Sequence, residues 1–74
     1  MKQIPALKPE EVINILNHLD FTEVKQRGSH KQLAHADGRI TTVPVHYKFA
    51  ISPALLRRIA RDIELDLVDV LKHR

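Results

Sequence analysis

Apolar residues recur at helical spacing in the first part of the chain. Pro9 suits the first position of a helix, and the two glutamates that follow it favour a helix N-terminus through the helix dipole. The apolar stripe consists of Val12, Ile13, Leu16 and Leu19. This spacing predicts an amphipathic helix over roughly Pro9–Leu19.

Three short segments rich in β-favouring residues follow, separated by glycine-containing breaks. We expect strands over Phe21–Arg27, His30–Ala36 and Arg39–Val45. Gly28-Ser29 interrupts the first pair, and Asp37-Gly38 is typical of a hairpin turn. Pro44 has no backbone N–H, so the third strand should be an edge strand or end there.

The length of the second loop decides which side chains share a face. A two-residue Asp37-Gly38 loop would pair His35 with Ile40 and split the apolar residues between both faces of the sheet. A three-residue loop that also includes Ala36, with Gly38 in a left-handed bulge, gathers them on one face. That face carries Leu33, Val43 and Val45. A half-buried sheet needs its apolar residues on one side, so we predict the bulged loop. His30 and His46 then project from the opposite, open face.

A second amphipathic helix is predicted near the C-terminus. Ser52 is placed to cap it, and Pro53 occupies its first position. Its apolar face consists of Leu55, Leu56, Ile59, Ala60 and Ile63. A last short helix, capped by Asp66, is expected to bury Leu67 or Val68 together with Leu71.

This order of elements favours an α+β fold with two layers. Three sequential antiparallel strands lie between helices at both chain ends, in the order α-β-β-β-α with an optional last helix. Both helices should cover one face of the sheet and leave the other free. With 74 residues, the chain is expected to form a single domain over residues 1–74.

Composition excludes several classes of site. The chain has no cysteine, so disulfides and thiolate zinc sites are excluded, and a cytoplasmic location is the expectation. The histidine spacing does not fit a tetrahedral metal site, and no glycine-rich phosphate loop exists, so we predict no metal and no cofactor. The N-terminus opens no apolar leader and no segment is apolar enough to span a membrane.

Positive charge is concentrated in the middle of the chain. Residues 25–48 contain five Lys or Arg residues and one acid, a net charge of +4, whereas residues 1–24 carry −2 and residues 49–74 carry +1. Three of the five histidines lie in the same segment: His30, His35 and His46. Charge this localised indicates that the predicted sheet meets a polyanion.

The segment also contains the parts needed to cleave RNA without a metal. Such a site needs a base for the 2′-hydroxyl proton, a cation beside the phosphorane and an acid for the leaving oxygen. A histidine can serve either proton role near neutral pH, which makes His30 the candidate catalytic residue. The candidate RNA-binding residues around it are Arg27, Ser29, Lys31, Arg39, His46 and Lys48.

Simpler interpretations of the same residues remain open. His18 and His35 are assigned to packing or to the surface, and His46 either contacts RNA or ends the third strand. The chain could instead be an RNA-binding module without turnover. It could also be an adaptor that binds an acidic partner through Arg57, Arg58 and Arg61, which otherwise form a solvated helix face.

The ordered motifs resemble those of the HicA (YcfA-like) toxin family. The similarity spans about residues 6–72. It lies in Gly28-Ser29-His30, Asp37-Gly38-Arg39, Thr42-Val43-Pro44-Val45-His46 and Leu55-Leu56-Arg57-Arg58-Ile59. The resemblance implies a double-stranded-RNA-binding-domain-like fold and a ribosome-independent mRNA endonuclease (interferase) whose catalytic histidine corresponds to His30. It also implies a HicB antitoxin as partner, with DNA contacted only indirectly, through that antitoxin.

The chain departs from the family pattern at two places. Family members often have a second histidine after the catalytic one, where this chain has Lys31, so the second proton-transfer group is left open. Many begin the second helix with Gly-Thr-Leu, where this chain has Ser52-Pro53-Ala54-Leu55. That change affects only how the helix is capped.

Overall fold

In the part of the chain that the structure describes, three helices and three strands follow one another in the order predicted from the sequence. The computed structural model describes residues 4–46 and 49–74. The elements are α1 (Pro9–His18), β1 (Thr22–Arg27), β2 (His30–Ala34), β3 (Ile40–Pro44), α2 (Pro53–Asp62) and α3 (Leu67–Leu71). Each strand is one or two residues shorter than predicted, and β3 ends at Pro44 as expected.

The three strands form one antiparallel sheet in the order β1-β2-β3. Ala34 pairs with Ile40, and the His35 N–H donates to the Arg39 carbonyl oxygen across a loop of three residues, 36–38. Within that loop, the Gly38 N–H donates to the carbonyl oxygen of His35. Gly38 has a φ of 101°, a conformation that glycine adopts without strain. The prediction of the three-residue bulged loop is therefore confirmed.

This register gives the sheet two chemically different faces. On the inner face, Leu33, Thr41 and Val43 are almost completely buried. They pack in one core with the apolar faces of α1 and α2, and the largest core side chain is Phe21. Both helices thus cover the same face, so the outer face, which carries His30, remains open.

A bulge in β1 shifts the pairing between β1 and β2. Arg27 pairs with His30 across the two-residue Gly28-Ser29 loop, but the register changes between Glu23 and Lys25. As a consequence Val24 is left more than half exposed, whereas Glu23 comes opposite the buried Leu33. The bulge therefore turns an acidic side chain toward the helices.

Local hydrogen bonds define the ends of the two long helices. Ser52 accepts a hydrogen bond from the backbone N–H of Leu55, which confirms its predicted role as cap. At their C-terminal ends, α1 is followed by Asp20 at φ 69° and α2 by Glu64 at φ 61°. Each is a left-handed residue at a position that most often holds glycine.

The last helix buries a different residue from those predicted. Val70 is buried, while Leu67 and Leu71 are partly buried against the core and Val68 is 65% exposed. In a helix of only five residues, the buried residue is the one on the side that packs against α2. The apolar pattern of so short a segment does not predict which side that is. With this correction, the structure confirms an α+β fold of the double-stranded-RNA-binding-domain type.

Candidate nucleic-acid interface

The Gly28-Ser29 hairpin places an exposed histidine directly opposite an arginine. His30 is the first residue of β2 and pairs with Arg27, the last residue of β1. Directly opposite residues of antiparallel strands share a face, with Cβ atoms about 5 Å apart. Gly28 has a φ of 55°, which the first position of a tight two-residue loop requires. The loop thus sets the side chains of His30 and Arg27 on the same face of the sheet.

The next row of side chains extends this pair into a groove. Lys25 pairs with Gln32, and Gln32 pairs with Thr42 on β3. Together with Arg27 and His30 these residues line a shallow cavity of about 270 Å³, which we call the outer groove. Within the described ranges, neither Lys25 nor Arg27 has an acidic group within 4.0 Å. Both cations are therefore available to an anion from outside.

Lys31 lies on the other side of the sheet. Its Nζ is 2.9 Å from Oε1 of Glu23, so the lysine forms an ion pair on the inner face. It also lines a small cavity of about 180 Å³ with Val45 and residues of α1 such as Glu10. The sequence suggested that Lys31 lies beside His30 as a phosphate ligand, but the structure separates the two side chains.

Arg39 lies at the far end of the β2-β3 hairpin. Its Nε donates to Oδ2 of Asp37 at 2.8 Å, its Nη1 donates to the carbonyl oxygen of Ile63 at 2.5 Å, and its guanidinium carbon lies 5.2 Å from the ring centre of Phe21. It is about five residues, or roughly 17 Å along the strand, from the His30 end. Arg39 therefore joins the hairpin to the end of α2 and does not belong to the outer groove.

The tip of the β2-β3 hairpin also contains a carboxylate whose pKa is shifted. The pKa of Asp37 is lowered from 3.8, above all by the backbone N–H of Arg39 and also by the guanidinium of that residue. His35 accepts a hydrogen bond at Nδ1 from the backbone N–H of Asp37, and its ring contacts Phe21 edge-on. This agrees with the assignment of His35 to packing.

The remaining predicted residues surround the hairpin end that carries His30. Ser29 is half exposed in the loop, and its carbonyl oxygen accepts from the backbone N–H of Val45. His46 is exposed just beyond β3, with its ring centre 4.9 Å from that of Phe49. Lys48 lies outside the described residues.

The arginines of α2 fall into two kinds. Arg58 donates to the carbonyl oxygen of Thr42 at 2.9 Å and lies 3.9 Å from Asp62, so it attaches the helix to the outer edge of β3. Arg57 and Arg61 are exposed and line a wider apolar depression beside α3. That depression lies on the helical side of the molecule, away from the outer groove.

Sequence reasoning missed three residues of the outer groove: Lys25, Gln32 and Thr42. A usable signal existed, because a two-residue Gly28-Ser29 loop that pairs Arg27 with His30 also pairs Lys25 with Gln32. In residues 4–46 and 49–74, no three His, Cys, Asp or Glu side chains are grouped as metal ligands would be. No described helix is long and apolar enough to cross a bilayer.

Comparison with known proteins assigns the chain to a family. A family model described as HicA toxin of bacterial toxin-antitoxin matches residues 9–65, a span that contains α1, the whole sheet and α2. No curated protein sequence matches the chain significantly. The matched span is well over half of the 74 residues and includes every residue of the outer groove. The chain therefore belongs to the HicA toxin family of bacterial toxin-antitoxin systems.

Proposed function

We propose that this toxin is an mRNA endonuclease that uses His30 to cleave RNA without a metal ion. The observation that carries the proposal is the pairing of the exposed His30 with Arg27 at the head of a groove that also holds Lys25. An imidazole opposite one uncompensated cation, with a second in the same groove, has the composition that cleavage at a ribose phosphate requires.

In the proposed reaction, His30 takes the proton from the 2′-hydroxyl group. The 2′-oxygen then attacks phosphorus, the bond to the 5′-oxygen breaks, and the products end in a 2′,3′-cyclic phosphate and a 5′-hydroxyl. The guanidinium of Arg27 can hold two phosphate oxygens at once, and Lys25 adds a second positive charge as negative charge builds up on the non-bridging oxygens. In the alternative assignment, His30 begins protonated and donates its proton to the leaving 5′-oxygen.

A second group must then complete the proton transfer. His46 is our candidate, because it follows β3 two residues after Pro44, which is the partner of His30 in the register. Lys31 is less suited to this role, since its ammonium group is paired with Glu23 on the inner face. His46 in this position would supply the second histidine that the family pattern provides elsewhere.

We assign RNA binding to the end of the sheet that carries the outer groove. Arg27 and Lys25 would hold phosphates, and Ser29 in the hairpin loop would donate a hydrogen bond to one of them. Lys48 remains a proposed phosphate ligand on the strength of the sequence. Arg39 is assigned a structural role instead, because two of its side-chain donors are bonded to Asp37 and Ile63 at the far end of the hairpin.

The proposed partner is a HicB-type antitoxin that covers the outer face and buries His30. An exposed sheet face bearing two unpaired cations is a surface that an inhibitor must cover to exclude RNA. Contact with DNA would come only through the antitoxin, and the toxin would act in the cytoplasm, where its mRNA substrate is found. A complex in which the outer groove stays open to solvent would contradict this mode of inhibition.

The test is an RNA cleavage assay with wild type and His30→Ala in the presence of a chelator. We expect wild type to produce fragments with 2′,3′-cyclic phosphate ends, and the variant to remain folded but inactive. Retained cleavage by His30→Ala would exclude this residue as the catalytic group.

The same assay separates the competing functions. A non-catalytic RNA-binding module would retain RNA in a salt-sensitive manner and leave it intact. An adaptor protein would show no RNA affinity at low salt, and charge reversal at Arg57 and Arg61 would abolish binding to its partner.

A further inference from the structure

The outer face of the sheet presents three columns of side chains with different chemistry. The β1 column is cationic and the β2 column is polar. Around the groove the register gives Lys25 and Arg27 on β1, His30 and Gln32 on β2, and Thr42 and Pro44 on β3. Thr22, Ala34 and Ile40 complete the columns at the far end. The β3 column, within this strand, has no charged side chain. The guanidinium of Arg58, at the β3 edge, is bonded to the Thr42 carbonyl oxygen and lies near Asp62. The unpaired positive charge of this face therefore lies along β1.

This distribution of charge orients a nucleic acid strand on the sheet. Phosphates are drawn to the β1 column, because it holds both unpaired cations of the groove. The bases then extend across β2 toward β3, where a hydroxyl and apolar side chains can contact them. Only an unpaired strand exposes its base edges for such contacts, so the substrate class that fits is single-stranded RNA.

Gln32 lies at the centre of this path. It is flanked by Lys25 and Thr42, and no described group forms a hydrogen bond with its side-chain amide. It lies two residues from His30 on the same face, about 6.5 Å along the strand. A base held at Gln32 would therefore belong to a nucleotide next to the phosphate at His30.

We infer that Gln32 selects the base beside the cleavage point and that the base it selects is adenine. A carboxamide offers both donors and an acceptor, which matches an amino group beside a ring nitrogen. Adenine presents that pattern on two of its edges, whereas cytosine presents it on one. The Thr42 hydroxyl, beside it on β3, can donate or accept and supports the same base. This inference rests on the proposed endonuclease function and adds to it a residue that determines specificity.

The experiment maps cleavage ends on an RNA pool with a randomised segment. We expect wild type to cut with adenine enriched at one fixed position next to the cleaved bond. Gln32→Ala should still cut, with this preference reduced about tenfold, since one bidentate pair carries that much discrimination. Gln32→Glu, which can only accept, should shift the preference toward cytosine. Thr22→Ala, at the far end of β1, is the matched control and should leave the pattern unchanged.

The outcomes separate this inference from the proposed function. If wild type cuts without an adenine preference, or Gln32→Ala cuts with the wild-type pattern, the role of Gln32 is overturned and the endonuclease function stands. If wild type cuts no RNA, the proposed function fails. Base selection is then judged by the affinity of His30→Ala for adenine and cytosine oligonucleotides of equal length. Equal affinities, with or without Gln32, would overturn it.

Discussion

His30 and Lys31 are neighbours in the chain but project from opposite faces of the sheet. His30 is exposed on the outer face opposite Arg27, whereas the Nζ of Lys31 lies 2.9 Å from Oε1 of Glu23 on the inner face. The alternation of side chains along a strand makes this separation unavoidable once the register is set. A cation next to the histidine in sequence is thus not a cation next to it in space.

This separation predicts different effects for the two alanine variants. His30→Ala should lower RNA cleavage by at least about a hundredfold, because positioned proton transfer contributes that much, with no loss of stability at an exposed position. Lys31→Ala should retain cleavage and lose about 0.2–1 kcal/mol of stability with its partly exposed ion pair. Cleavage rates and urea denaturation of both proteins provide the measurement. A folded Lys31→Ala protein without RNA affinity would restore Lys31 to the binding site.

Arg39 should matter for folding and not for RNA. Arg39→Ala removes a bond to Asp37 and one to the Ile63 carbonyl oxygen, the second of them partly buried. We expect a loss of about 1–3 kcal/mol in the free energy of unfolding, since one bond is charge-assisted and one leaves a carbonyl unsatisfied. The matched control is Arg57→Ala, at an exposed position, which should change stability by no more than about 0.5 kcal/mol. Weaker RNA binding by Arg39→Ala at unchanged stability would contradict this assignment.

Asp37 should make the protein sensitive to acid. Its pKa is lowered from 3.8, first by the backbone N–H of Arg39, so the folded protein favours the ionised carboxylate. Its contribution is therefore complete above the ordinary pKa and is lost as the pH falls through the lower pKa of the folded state. We expect the stability of wild type to fall more steeply below pH 3.8 than that of Asp37→Asn. Urea denaturation at several acidic pH values measures the difference.

Repeating the comparison of Asp37 with Asn in the Arg39→Ala protein identifies the source of this acid sensitivity. In Arg39→Ala, the difference between Asp and Asn at position 37 should shrink because the guanidinium is gone. It should not vanish, because the backbone N–H of residue 39 still donates to the carboxylate. An acid response that is identical in Asp37→Asn and wild type would show that other groups are responsible.

The sequence was sufficient to predict those parts of the fold that follow from a simple geometric rule. Placing the apolar residues of two strands on one face selected the three-residue loop, and the buried Leu33 and Val43 confirm it. Ser52 before Pro53 predicted the start of α2 correctly because a cap depends on a few neighbouring residues. Both inferences use only local spacing.

The sequence was insufficient to predict the position of a side chain that depends on tertiary contacts. The charge of Arg39 was correctly counted toward the basic segment, but its position was decided by Ile63 and Phe21, which are distant in the sequence. The choice of Val70 over Val68 as the buried residue of α3 likewise depends on how that helix packs. The bulge at Val24 left no clear mark in the sequence, although it alters which residues of β1 face the helices.

The left-handed residue after α2 offers a way to stabilise the protein. Glu64 has a φ of 61° and is exposed, in the position where helices most often carry glycine. Glu64→Gly should raise the free energy of unfolding by about 0.5–1 kcal/mol, because relief of the left-handed strain exceeds the added entropy of the unfolded chain. Glu64→Ala is the control, since alanine keeps a Cβ atom and the strain. Thermal and urea denaturation of the two variants measure the effect, and an equal gain in both would mean that the glutamate side chain, not its backbone conformation, is unfavourable.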